Sequence, residues 1–350
     1  MILLKATNND AFLSALEKKL HEQLRGENIG FLLGAGASAL DGKGYPMAAD
    51  LWGKIKDQVP SPFREEIQSM LNKEGVWGIE NALDLLDSGG PDDCQHRHQV
   101  TEAIASLFTS IEPPLEAHVA FLRALARRKR ALYFPIFCLN YDPLLERAAE
   151  SVKIRLIDGF HGHEKAFFDG SMFQQQICIP HPVAKRGSVR VSIVPGVVYL
   201  IKLHGSIGWF SLNRDDVRRI PIAEPSPINA RRLMIPPQYR KVQETTTPPY
   251  SILWSLYYRR LVHGSSLNRL ACIGYGMRDE HVNVPIEQAL KDRNFTLLIL
   301  ARGLDGDVFD HWASFENVVI VTKEKCSLRG KIGPGHPTLW DFKHIAQEFV

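Results

Sequence analysis

The chain has no C-x-x-C pair, no internal repeat, no low-complexity tract, no long apolar run and almost no charge imbalance. Its five cysteines, Cys94, Cys138, Cys178, Cys272 and Cys326, are odd in number and widely spaced. That pattern argues against a disulfide framework and against a cysteine-rich zinc module. No run approaches the ~18 apolar residues of a membrane helix, and the opening Met1-Ile2-Leu3-Leu4-Lys5 is too short for the apolar region of a signal peptide. A cytoplasmic protein without a membrane partner is expected. The 42 Lys+Arg against 39 Asp+Glu leave a formal charge of +3, too small a surplus to predict nucleic-acid binding on charge alone. What remains is 350 residues, 45% hydrophobic and 23% charged. These proportions exclude disorder and collagen-like architecture, and the length supports a core without disulfides or structural metals.

Six short apolar runs give the chain its rhythm: Asn28 to Leu33, Leu132 to Leu139, Val197 to Leu203, Leu267 to Ile273, Phe295 to Leu300 and Asn317 to Val321. Each is rich in β-branched or bulky residues without clean alternation, as strands buried on both faces of a parallel sheet are. Helical patterns lie between several of them, over Asp10 to Arg25, Leu115 to Arg128 and Ser251 to Val262. The alternation predicts an α/β fold, a doubly wound, mostly parallel Rossmann-like sheet. Residues 46–110 carry helical patterns near 49–58, 64–72, 79–86 and 99–107 and no convincing strand. They read as a helical module inserted into a core made of residues 28–45 and 111–350, within one domain spanning 1–350. Gly159 to Pro195 is β-like and punctuated by Gly and Pro, and Asn213 to Pro249 is Pro-rich and irregular. Both read as excursions from the sheet.

Ligands of open parallel sheets bind beyond the carboxyl ends of the strands, so the residues following each run carry the information. After the first comes Gly34-Ala35-Gly36-Ala37-Ser38-Ala39, matching G-x-G-x-x-[G/A], a turn that lets backbone approach a pyrophosphate or simply packs closely. The acidic ribose partner expected ~20 residues later in a dehydrogenase is missing. The second run ends at Asn140-Tyr141-Asp142-Pro143. Asp142 before Pro143 suits a helix cap as well as a functional role, whereas Asn140 is an amide at a strand end that must find partners. The third ends at His204-Gly205-Ser206, which directs a histidine toward the same crevice. The fourth ends at Gly274-Tyr275-Gly276-Met277-Arg278-Asp279, where Asp279 suits ribose hydroxyls or a helix cap.

Taken together, these islands resemble the sirtuin-like NAD hydrolases of bacterial anti-phage defence. The resemblance rests on GAGAS (34–38), GYP (44–46), LNYDPLLE (139–146), KLHGSIGW (202–209), IPP (235–237), PPYSILW (248–254) and IGYGMRDEHVN (273–283), in family order over residues 28 to 283. It implies a Rossmann-type NAD+ site with a helical module after the glycine loop, catalytic roles for Asn140 and His204, and phosphate contacts from Gly34, Ala35, Gly36 and Ser38. Gly205, Ser206, Gly274, Tyr275, Gly276 and Asp279 are the remaining expected ligand contacts. The two C-x-x-C pairs of the deacetylase branch are absent, so no zinc is expected and acyl-lysine recognition loses its support. His96-Arg97-His98 and His161-Gly162-His163 read as solvated loops more readily than as metal sites. The basic run Arg127 to Arg130 suits a helix C-terminus better than nucleic acid.

The resemblance implies an NAD+ glycohydrolase releasing nicotinamide and ADP-ribose, linear or cyclised, and depleting NAD+ in abortive infection. Asn140 is expected to hold water or ribose, His204 to act as base, and Asp142 to orient the site or stabilise positive charge. Such an activity needs restraint. A homo-oligomer or a separately encoded partner is expected, with a HerA-type hexameric ATPase first and a short Argonaute-type protein or a phage protein next. The exposed Pro-rich loops and the tail residues Trp340, Phe342 and Phe349 suit such contacts, and the tail equally suits docking on the sheet. Two rivals share the glycine loop: a non-catalytic NAD or ADP-ribose sensor, and an NAD-dependent deacylase.

Overall fold

The computed structural model describes residues 4–5, 8–76, 78–87, 94–128, 134–182, 189–213, 216–235, 247–262 and 267–348. Six strands form its centre: β1 (Ile29–Leu33), β2 (Phe134–Cys138), β3 (Val198–Lys202), β4 (Arg269–Ile273), β5 (Thr296–Leu300) and β6 (Val318–Val321). All six are parallel, in the order β3-β2-β1-β4-β5-β6. The chain therefore winds outward in both directions from β1 and β4, and the crevice between their carboxyl ends is the topological switch point of a doubly wound sheet. The α/β fold class expected from the apolar runs is the one observed.

Successive side chains along each strand serve opposite layers. Phe31, Leu33, Ile136 and Leu200 meet Leu16, Leu20, Phe121 and Leu145 on one face, while Leu32, Phe137, Ile201 and Cys272 meet Leu253, Tyr257, Val282 and Phe309 on the other. Burial on both faces explains why the sequence shows continuous apolar runs and no alternation. The sheet is wider than six strands. Leu156–Ile157 adds to β3, and the segments Lys325–Leu328 and Lys331–Pro334 turn back antiparallel beyond β6, with Leu4–Lys5 outermost.

Between β1 and β2 lie the helices Ala48–Ile55, Phe63–Leu71, Ile79–Leu86 and Gln95–Ser110. They build a separate apolar cluster of Ile55, Ile67, Leu83, Val100, Ile104 and Phe108 that reaches the rest of the molecule through Leu144, Ile207 and Met234. The stretch Asn213 to Pro249 is less irregular than its prolines imply. Val217–Arg219 and Arg231–Met234 flank Gly205–Ser211 in a second, antiparallel sheet with Ala166–Phe168 and Phe160–His161. Strands of two to four residues carry too few positions to show a period, and their pairing is non-local. Pro236 and Pro237 of the IPP motif lie outside the described residues. No helix among the described residues is long and apolar enough to cross a membrane.

The tail packs on the body. Phe342 is buried against Phe121, and its ring centroid lies 4.8 Å from that of His118; Phe349 lies outside the described residues. Arg128 donates to the carbonyls of Leu24 and Gly26 at the end of the helix Asn9–Leu24, a cation where that helix dipole favours one. Lys129 and Arg130 are outside the described residues. His118 is 1% exposed, and burial pulls its pKa down from 6.5 to about 4, against the opposing pull of Glu146. The unfolded chain therefore binds a proton that the folded chain refuses. Stability is full above pH 6.5 and is lost as pH falls toward 4, by about 3 kcal/mol for this group. Melting temperatures of wild type and His118→Leu plotted against pH should differ in slope across that window, the variant losing much of the acid sensitivity.

Candidate active site

The carboxyl ends of β1 and β4 meet through two glycine turns set back to back. The Gly34 N–H donates to Ile273 O at 3.0 Å and the Gly36 N–H to Gly274 O at 2.8 Å. A Cβ on Gly36 would stand 2.7 Å from Gly274 Cα, and one on Gly274, whose φ is +66°, would stand 2.4 Å from Ala37 N. The two glycines are thus required by each other's backbone. Gly276 differs: it is exposed, and nothing lies within 4 Å of its absent Cβ. Ala35 opens the short helix Ala35–Ala39, and Ser38 within it is buried.

Asn140, 9% exposed, follows β2. Its Nδ2 donates to Gly34 O at 2.9 Å and to Ser38 Oγ at 2.8 Å, so the amide ties the β2 loop to the glycine loop and satisfies the donor pair a strand-end amide brings. Asp142 is buried, and its Oδ1 accepts the Leu144 N–H at 3.1 Å, closing the start of the helix Leu144–Ser151.

His204 follows β3 and is 5% exposed. Gly205 after it has φ +76°, and a Cβ there would meet Leu233 O at 2.1 Å, so the glycine serves the turn. Ser206 Oγ donates to Tyr141 O at 3.0 Å. His204 Nε2 stands 3.3 Å from Asp279 Oδ2, and the Trp254 ring lies 6.1 Å away, centroid to centroid. Tyr275 is buried, and its hydroxyl accepts the Asp279 N–H at 2.9 Å, holding the β4 turn in shape. The structure therefore joins Asn140 and Ser38 to the Gly34–Gly36 loop, packs that loop against Gly274 and Tyr275, and sets His204 near Asp279, whose N–H the Tyr275 hydroxyl holds.

Two features went unread in the sequence. Lys202, the last residue of β3, is 1% exposed and its Nζ donates to Asp142 O at 2.5 Å, Glu146 Oε1 at 2.9 Å and Ser206 Oγ at 3.3 Å. Burial works against its charge, but Glu146, with Cys138 and Asp142, holds the ammonium above its ordinary pKa. A lysine ending an otherwise apolar strand was the available signal. The second is Trp254, on the helix Tyr250–Val262, whose indole N–H is buried and has no hydrogen-bond partner among the described residues. It also approaches His281 and Tyr257.

His96 is held by the carboxylates of Asp87 and Glu66 through its two ring nitrogens, and no group of three or more His, Cys, Asp or Glu side chains stands in ligating array among the described residues. Buried cysteines are inert as nucleophiles; burial pushes the Cys138 thiol up to about 12.

No family model and no curated protein matches the chain. Among solved structures it is similar to one from a study of the structural basis of sirtuin substrate affinity, with 12% identity over 97% of each chain and a TM-score of 0.45.

Proposed function

We propose that the chain is an NAD+ glycohydrolase that cleaves the nicotinamide–ribose bond. The observation that carries this reading is the placement of Asn140 and His204, both buried, at the carboxyl edge of the sheet, one tied to the β1 glycine loop and the other facing the loop after β4. The open space at Gly276 fits a ligand laid across the switch point. Nicotinamide leaves a cationic precursor as a neutral pyridine, so the reaction needs no general acid, unlike ordinary glycoside hydrolysis. Stabilising an oxocarbenium-like ribose and delivering water remain. Asn140 presents its amide oxygen to water or ribose, its nitrogen being held by Gly34 and Ser38. His204 removes a proton from water or a ribose hydroxyl, a task matched to imidazole near neutral pH. Asp142, a buried carboxylate beside Asn140, contributes to orientation and to stabilising positive charge. Gly34, Ala35, Gly36, Ser38, Gly205, Ser206, Gly274, Tyr275 and Gly276 shape the cradle, chiefly through backbone.

The resemblance of the motifs extends the proposal to an NAD+-depleting effector of anti-phage abortive infection, restrained by oligomerisation or by a partner such as a HerA-type ATPase. Purified protein incubated with NAD+ over a range of protein concentrations should release nicotinamide without any acyl-lysine peptide. Release that requires such a peptide would make it a deacylase. Tight NAD+ binding without release, alone or with the co-expressed ATPase, would make it a sensor. A steep rise of specific activity with protein concentration would place its control in assembly.

A further inference from the structure

The loop after β4 is fixed at two points with an exposed glycine between them. At its start the Gly274 N–H donates to Leu300 O at 2.8 Å, and the Gly274 carbonyl accepts the Gly36 N–H. Three residues on stands Met277, whose φ of +55° is a left-handed conformation that few residues other than glycine adopt. Its side chain is 2% exposed and belongs to the apolar cluster that includes Tyr257 and Val282. Such a residue persists only where its surroundings over-determine it. Here Asn283 supplies the tie. Its Nδ2 donates to Met277 O at 2.9 Å, while the Tyr275 hydroxyl donates between Asn283 Oδ1 at 3.0 Å and Asp279 O at 3.1 Å. The amide cannot be turned over, because Met277 O can only accept. Asn283 is itself held firmly. It lies in the helix Glu280–Leu290, and the neighbouring Val282 carbonyl accepts the buried Tyr257 hydroxyl at 2.9 Å from the helix Tyr250–Val262.

The geometry points to Asn283 as a positioning residue for ligand affinity, acting through Met277 on the loop after β4. Gly276, exposed and with nothing within 4 Å of its absent Cβ, is held between the Gly274 backbone contacts and the Asn283–Met277 hydrogen bond. The loop is thereby shaped before a ligand arrives. A loop ordered in advance spares the ligand the entropy of ordering it, so the tie contributes to affinity. The bond-breaking step lies with other residues, and Asn283 bears on binding rather than on turnover. This inference rests on the glycohydrolase reading for the identity of the ligand, NAD+, but not for the order of the loop in the free protein.

Asn283→Asp is the discriminating variant, because it is nearly isosteric, keeps an acceptor for the Tyr275 hydroxyl and removes the donor to Met277 O. Asn283→Ala removes both ties without adding a charge. In the free protein, amide hydrogen exchange over residues 274–279 should quicken at least about tenfold in each variant, with exchange in β4 unchanged. The KM for NAD+ should rise about tenfold, with kcat within about threefold of wild type. Exchange unmoved in both variants would overturn the assignment, as would a KM within about twofold of wild type or a loss of kcat at unchanged KM. If neither variant folds, the asparagine serves the fold and the assignment falls. A wild type that releases no nicotinamide sinks the glycohydrolase reading alone; the calorimetric Kd for NAD+ then replaces KM, with the same rise expected. A wild type that neither releases nicotinamide nor binds NAD+ overturns both.

Discussion

Alanine at Asn140 or at His204 is expected to lower nicotinamide release at saturating NAD+ by at least about 100-fold, and by as much as about 10,000-fold for His204, the range of a positioned general base. The two variants should differ in stability. His204→Ala removes a ring from a crevice wall. Asn140→Ala leaves Gly34 O and Ser38 Oγ without the donor they share, a loss of about 1–3 kcal/mol when such groups stay buried. Asn140→Asp, nearly isosteric, adds a third case: it keeps the shape, removes the donor and places a charge where the proposed mechanism puts the oxocarbenium. Initial rates of nicotinamide release and thermal melts on the same preparations test the pair of claims. Turnover within threefold of wild type in folded Asn140→Ala and His204→Ala would remove both residues from the chemistry.

Lys202→Met should cost about 3–5 kcal/mol, the penalty for breaking a buried ion pair by removing one partner. The ammonium serves Glu146, Asp142 O and Ser206 Oγ together, and Glu146 Oε2 is already buried without a partner among the described residues. Removing the cation takes from the Glu146 carboxylate the hydrogen bond its Oε1 holds among the described residues. The midpoint of urea unfolding should fall accordingly. Adding Glu146→Leu should recover much of the loss, because replacing both members of such a pair with apolar groups is often close to neutral. Activity should not recover with stability. The Lys202–Asp142 hydrogen bond anchors the loop that carries Asn140, and the double variant lacks it, so a stable but slow enzyme is the expected outcome. A Lys202→Met midpoint equal to wild type would show that the pair is dispensable.

The centre of the sheet was legible because burial on both faces leaves an unbroken apolar signature, as in IGFLL of β1 and TLLIL of β5. The positions of Asn140 and His204 were legible for a related reason: a polar residue just after such a strand has nowhere to go but the edge. Lys202 hid because its strand reads as apolar with a charged terminus, and only three acceptors drawn from three separate segments reveal it as an internal group. The Gly36 and Gly274 backbones close on each other, a juxtaposition that no local pattern encodes. The short strands Val217–Arg219 and Arg231–Met234 were hidden by their length. The outer antiparallel strands after β6 were hidden by pairing with a sheet edge rather than with a helix-linked neighbour.

The strand order carries a consequence for biosynthesis. β1 ends at Leu33, but its neighbours in the sheet begin at Phe134 and Arg269. Contacts so distant along the chain require long loops to close before they repay the entropy lost, which slows folding. On a ribosome the helical module, whose cluster is mostly local, can condense early, while β1 waits with one flank bare until residues near 270 emerge. The crevice between β1 and β4 is then among the last features to exist. Nascent chains, and products truncated before β4, lack the Gly274 turn on which the Gly36 backbone closes.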